Sequence, residues 1–151
     1  MNKDKIFDEL LVLKCRDGDK KAFELLIKRW HKKLISFSYK ITHDLEASKD
    51  LVQESWISFH RGIRGISAPS KFSSWIYRVV YNKSIDYLRK HRSAEPQEIA
   101  DEIDEGNEYA DDRWKTIEFL LKKLPTTHKT ILTLFYLEEH SIKEISEILQ
   151  I

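Results

Sequence analysis

Apolar residues recur at steps of three and four along almost the whole chain, so the pattern predicts helices and no strands. The longest stripe is Phe23, Leu26, Ile27, Trp30, Leu34, Phe37 and Ile41, which places a helix over about Lys20–Ile41. Before it, a short helix over Asp4–Arg16 carries Phe7, Leu10 and Leu11 on one side and stops at Asp17-Gly18-Asp19, a glycine end followed by a polar restart. Asp44 is a suitable N-cap for a third helix over Leu45–Phe59. Gly62, Gly65 and Pro69 interrupt the pattern over 62–70, and a fourth helix follows at Lys71–His91. Periodicity fades over 94–112, around Pro96 and Gly106, and returns over Asp112–Lys123, Thr126–Leu137 and Ser141–Gln150. Leu124-Pro125 separates the first two of these. Ser141-Ile142-Lys143-Glu144 opens the last as a capping box, in which the Ser hydroxyl accepts from the N3 backbone and the Glu reaches back to the cap. The expected architecture is all-α. A four-helix module spans 1–93, an acidic flexible linker 94–111, and a smaller helical module 112–151.

At 151 residues, with 41% hydrophobic and 34% charged residues, the chain is one average domain or two small helical ones with a heavily charged surface. Four Gly and three Pro are too few for a sandwich or barrel rich in tight turns. A single cysteine, Cys15, excludes an internal disulfide and a Cys-rich metal cluster, and fits a reducing cytoplasm. The longest aliphatic run, Leu10-Leu11-Val12-Leu13, is far short of a membrane span or a signal-peptide core.

The overall charge of +1 conceals a strong asymmetry. Residues 1–93 carry a net +9, residues 94–115 a net −7, and residues 116–151 a net −1. A basic block joined to an acidic connector points to an anionic partner for the first block, although a solvated helical surface has the same composition.

Two helices carry a second face. On the third, Leu45, Val52, Trp56, Phe59 and Ile63 share the core sector, and Asp50, Gln53, Glu54 and Ile57 gather opposite. Asp50 and Glu54 are like charges four apart, which mildly destabilises a lone helix. By geometry alone a solvated face with one stray Ile is the better reading. On the fourth, Phe72, Ile76, Val79, Val80 and Tyr87 form the apolar sector, while Lys71, Arg78, Asn82 and Arg89 line another with Trp75 at its edge. Residues 60–93 hold eight Lys and Arg against Asp86 alone, interleaved with Phe72, Trp75, Tyr77, Tyr81 and Tyr87. Cations bind phosphates and aromatic faces accept unstacked bases, so this helix suits single-stranded or melted nucleic acid. The competing reading is a core-edge Trp beside solvated cations. Lys83 falls inside the apolar sector, where it is expected to snorkel or to pair with Asp86.

No catalytic residues or metal ligands are read from the sequence. The six histidines lack metal spacing, and neither a Gly-rich phosphate loop nor a nucleophile elbow is present. His43-Asp44 reads as a helix start and not as a catalytic pair. Cys15, flanked by Lys14 and Arg16, has neighbours that favour a thiolate, but reads better as a small hydrophobe at a core edge. No cofactor is implied.

Several strings together resemble the extracytoplasmic-function (ECF) group of bacterial RNA polymerase sigma factors. Asp50-Leu51-Val52-Gln53-Glu54 followed by Trp56 is similar to the family's Asp-Leu-Val-Gln-Glu-x-Phe motif. So are Phe72-Ser73-Ser74-Trp75-Ile76-Tyr77-Arg78-Val79, Asn82 and Asp86-Tyr87-Leu88-Arg89-Lys90, with Gly18-Asp19 before Ala22-Phe23 at the start. Leu121, Leu124-Pro125 and Ser141-Ile142-Lys143-Glu144-Ile145 resemble its C-terminal promoter-binding domain. The match runs in order over nearly the whole chain. It implies a sigma region 2 module at 1–93 and a region 4 module at 112–151. Asp50, Gln53, Glu54 and Ile57 are then expected to face the β′ clamp helices of core RNA polymerase, which reverses the geometric reading of that face. Arg61, Arg64, Lys71, Trp75, Arg78, Asn82, Lys83 and Arg89 are expected to meet promoter DNA, with Arg61 to Ser70 forming the loop that captures a flipped base.

In the family, a turn and a basic recognition helix follow the helix at Ser141–Gln150 and read the −35 element. This chain stops at Ile151, so the expectation is an incomplete helix-turn-helix module: either a truncated form or a chain without −35 binding. The apolar faces of Thr126–Leu137 and Ser141–Gln150 would then need altered packing or cover from a partner chain. The resemblance implies a cytoplasmic, non-enzymatic, promoter-specific initiation factor that binds core polymerase, promoter DNA and an anti-sigma factor. The alternative is a non-initiating regulatory or interaction protein that occupies core polymerase or an anti-sigma factor.

Overall fold

Short polar side chains set the helix starts. In the computed structural model, which describes residues 3–91 and 112–151, α1 (Lys3–Arg16) ends at Gly18, whose φ of +87° makes a left-handed turn without a Cβ clash. Asp19 then caps α2 (Lys20–Thr42) by accepting from the Ala22 amide at 3.1 Å. His43, left-handed at φ 56°, closes α2 by donating its N–H to the Tyr39 carbonyl. Asp44 caps α3 (Leu45–Gly62) through the Ala47 amide at 3.0 Å, as the sequence predicts. Two 3₁₀ turns, Ile63–Gly65 and Pro69–Lys71, carry the chain into α4 (Phe72–Lys90). The linker expected at 94–111 lies outside the described residues. The second module comprises α5 (Asp112–Lys122), α6 (Thr126–Leu132), a π turn at Thr133–Leu137, and α7 (Ile142–Leu149). All regular elements among the described residues are helical.

The core of the first module lies between α2, α3 and α4 and is largely aromatic. Trp30, Phe37, Trp56, Phe59, Phe72 and Tyr77 are all buried. Most of their rings meet edge-on, with centroids 5.1 Å apart for Trp30–Phe72 and 5.0 Å for both Phe37–Tyr77 and Phe59–Phe72, while Trp56 stacks on Phe72. Such pairs contribute about 0.5–1.5 kcal/mol each beyond their buried area. Ser38 and Ser84, fully buried on α2 and α4, satisfy each other at 2.8 Å.

Three expectations need correction. First, α1 buries Leu11 and Val12, and it leaves Phe7 and Leu10 exposed. Arg29 on α2 explains the rotation: its Nε donates to Asp8 at 2.7 Å and its guanidinium lies 4.8 Å over the Phe7 ring, so Phe7 is covered by a cation at the surface. Second, the helix predicted over Thr126–Leu137 is α6 followed by a wider π turn. The Thr130 and Thr133 hydroxyls donate back to the Thr126 and Lys129 carbonyls at 2.8 and 2.9 Å, a local competition that deforms helices. Third, the second module is not merely tethered. α7, opened by the predicted Ser141–Glu144 capping box, packs against α4 and buries Ile145, Ile148 and Leu149.

Candidate polymerase and promoter interface

The α3 motif splits by helix geometry into a buried and an exposed half. Val52, Ser55, Trp56 and Phe59 point into the core, so Asp50, Gln53, Glu54 and Ile57 must point outward, and all four are exposed. Ile57 is 48% exposed among them, an apolar residue inside an acidic patch. The position of Lys83 differs from expectation. It faces α3 and pairs with Glu54 at 3.8 Å, while Asp86 pairs with Arg89 one turn along at 3.9 Å. The Lys83–Glu54 pair joins the acidic face of α3 to the basic side of α4.

Lys71, at the N-cap of α4, and Arg78, Asn82 and Arg89 on α4 follow one row and are exposed. Trp75 is half-buried at its edge. Its ring sits 6.0 Å from Phe59, and a Cβ added at Gly62 would lie 3.3 Å from its Cζ2. The indole is therefore held by the core, with its outer edge beside the cationic row. Of the other interleaved aromatics, Phe72 and Tyr77 belong to the core and cannot stack on bases. Tyr87 donates to the Asp44 carboxylate at 2.6 Å and stacks on His91. The hydrogen bond from Tyr87, with that from the Ala47 amide, holds the Asp44 carboxyl below its ordinary range. The loop between α3 and α4 is anchored by buried Ile66, whose carbonyl accepts from Arg16 Nη2 at 2.6 Å. Arg61 and Arg64 flank that anchor in solvent.

Sequence reasoning missed a polar cluster where α4 meets the second module. Buried Tyr77 donates to Glu138 Oε2 at 2.6 Å, and Ser73 bonds His140 Nε2 at 2.8 Å. Ser74 donates to Glu144 Oε2 at 3.4 Å, and Lys71 pairs with Glu147 at 3.4 Å. The Gln150 amide faces Arg78, and with its oxygen turned toward the guanidinium it accepts from Arg78 Nε and Nη2 at 3.3 and 2.7 Å. Burial pushes the Tyr77 phenol far up, aided by Glu138, and pushes His140 down despite two nearby carboxylates. Burial works against the charge on Glu144, yet the bonds from Ser141 and the proximity of His140 outweigh it and hold the carboxyl below its ordinary range. Nothing local in the sequence marks these pairs, because they join residues more than 60 positions apart. Among the described residues, no three His, Cys, Asp or Glu converge as a metal site. No helix there is long and apolar enough to cross a membrane.

An all-helical pair of modules, the first with an acidic outer face on α3 and a cationic row on α4, has the plan of a sigma-70-type factor. The family model for Sigma-70 region 2 matches residues 26–94, and that for Sigma-70, region 4 matches 115–151. The ECF RNA polymerase sigma-E factor of Haemophilus influenzae is 32% identical over 97% of this chain and 85% of its own. SigW of Bacillus subtilis is 28% identical over 93% and 83%, and the sigma-H factor of Pseudomonas aeruginosa 27% over 95% and 82%. The fold is similar to that of CnrH, solved in complex with the cytosolic domain of CnrY, with a TM-score of 0.69 at 20% identity over 96% of this chain and 84% of that one. The chain belongs to the ECF sigma factors, and its function is promoter-directed initiation of transcription.

Proposed function

We propose that the exposed face Asp50, Gln53, Glu54 and Ile57 of α3 docks on the β′ clamp helices of core RNA polymerase. The cationic row of α4, with Trp75 and the Arg61–Ser70 loop, then engages the −10 element as it melts. The observation that supports this reading most is the division of labour within each helix. Every aromatic that the core requires is turned inward, and the acidic patch and the cationic row are left outward on adjacent helices. Charges of opposite sign on neighbouring surfaces suit two different partners. In this reading Lys83, tied to Glu54, is a link between the faces more than a primary DNA contact. The chain performs no chemistry of its own and works in the cytoplasm with polymerase, and an anti-sigma protein is a further partner.

Reconstitution with core polymerase tests the assignment. Asp50→Lys with Glu54→Lys is expected to abolish pull-down of core enzyme and run-off transcription while the helical circular dichroism stays unchanged. Glu54→Gln, which removes the Lys83 pair without reversing charge, is expected to retain most of the binding. Undiminished core binding by the double variant would reject the α3 assignment.

A further inference from the structure

We propose that Arg16, at the end of α1, is a positioning residue for promoter opening: it holds the middle of the Arg61–Ser70 loop in the shape that takes a flipped base. This rests on the assignment of that loop to base capture. An extruded base needs a shaped pocket to offset the stacking it gives up. The loop backbone closes two small turns, with the Ile66 N–H donating to the Ile63 carbonyl at 3.3 Å and the Lys71 N–H to the Ala68 carbonyl at 2.9 Å. Between the turns, Ile66 and Ala68 are extended. Ile66 is held twice: its side chain is buried in the core, and its carbonyl accepts from Arg16 Nη2 at 2.6 Å, across 50 positions of sequence. Arg64, Gly65 and Ser67 on either side are exposed, so fixing Ile66 fixes the direction in which they meet a ligand. α1 is rigid enough for this task. Leu11 and Val12 are buried, and Asp8 bonds Arg29 at 2.7 Å. The Gly18 and Asp19 amides fold back onto the Cys15 and Lys14 carbonyls, both at 3.0 Å. α1 also packs against both 3₁₀ turns of the loop. Arg16 Nε is buried without a partner. A side chain serving stability alone would satisfy that donor, because a buried unpaired donor is costly. Here the guanidinium leaves one donor unmet and places another on the loop backbone. A backbone fixed beforehand does not have to be ordered when the base arrives, which strengthens binding.

The full chain is compared as wild type, Arg16→Met and Arg16→Lys. Met keeps most of the stem and removes every donor, whereas Lys keeps a charged donor on a similar stem. Amide hydrogen exchange of the free chain reads the loop directly. In Arg16→Met the Ile66 and Lys71 amides are expected to exchange several-fold faster than in wild type, with Val52 and Phe59 on α3 unchanged. Arg16→Lys is expected to fall between the two, and it carries the test if Arg16→Met exchanges faster everywhere. Holoenzyme reconstituted with each chain is then titrated by anisotropy with fork-junction DNA carrying the −10 element of a promoter that the wild type opens. The DNA is either intact or has one abasic site at each non-template position in turn. At the captured base, the abasic site is expected to cost the wild type at least about fivefold in affinity and Arg16→Met less than about twofold. Penalties at the other positions, and binding of core enzyme, are expected to be the same in all three forms. Unchanged exchange at Ile66 and Lys71 would overturn the anchor. Faster exchange with the full abasic penalty retained would overturn the link to base capture and leave Arg16 a structural residue. A wild type without any position-specific penalty would instead count against the assignment of the loop, and exchange would still decide whether Arg16 holds it.

Discussion

Trp75 occupies two environments at once, and its neighbours allow them to be separated. Its inner edge packs on Phe59 and against Gly62, and its outer edge borders the cationic row. Trp75→Ala is expected to cost on the order of 2 kcal/mol in thermal unfolding, about half the cost of a fully buried tryptophan. It should also weaken −10 opening, by about 1–3 kcal/mol if a base stacks there. Gly62→Ala keeps the indole but pushes it, because the new Cβ would sit 3.3 Å from Cζ2. That variant should reduce thymine reactivity to permanganate in promoter complexes at little cost in stability. A full loss of stability with normal opening would mean that the ring serves the core alone. Tyr77 offers a second residue-scale test. Its buried hydroxyl, kept protonated by burial and by Glu138, donates across the module boundary at 2.6 Å. Tyr77→Phe should cost about 1–3 kcal/mol, read as a lowered melting temperature, because a carboxylate loses its partner in a half-buried site.

The junction of α4 with the π turn and α7 makes stability depend on pH. His140 is buried, and its pKa is lowered from the ordinary 6.5, chiefly by burial. The unfolded chain therefore binds the proton more readily than the folded one, and stability falls as pH drops below about 6.5. The groups facing the imidazole are Glu138, Glu144, Ser73, the Tyr77 ring and, from α2, Lys33. Asp44 and Glu144 have lowered pKa values, so their contributions persist to more acid pH and vanish below the carboxylate range. The melting temperature of the wild type should drop between pH 7 and pH 5, and that of His140→Gln should drop less. Parallel curves would remove His140 from the account. The helices themselves were legible in the sequence, because caps such as Asp19, Asp44 and Ser141 and stripes such as Leu26–Leu34–Phe37 are local signals. The exposed α3 patch was legible as geometry, but its meaning came only from the motif. What periodicity could not reveal was contact between distant elements: the turn of α1 that buries Val12, the Lys83–Glu54 pair, and the docking of α7. Each is decided by a residue remote in the chain.

At the scale of the molecule, the overall charge of +1 is a poor guide to its behaviour toward nucleic acid, since the first 93 residues alone carry +9. Binding of melted promoter DNA by the polymerase complex should fall steeply with salt. Arg78→Ala should make the slope of log K against log salt shallower by about 0.7, the share of one phosphate on a single strand. An unchanged slope would mean that Arg78 touches no phosphate. The one thiol of the molecule has a different use. Cys15 is packed at the edge of the core, and burial together with Asp19 pushes its pKa up to about 11. Near neutral pH it is almost wholly protonated, hence a poor nucleophile while α1 stays in place. Unfolding would restore an ordinary thiol, reactive toward iodoacetamide. The chain thus carries a built-in clock: the rate at which Cys15 is alkylated counts how often α1 lets go.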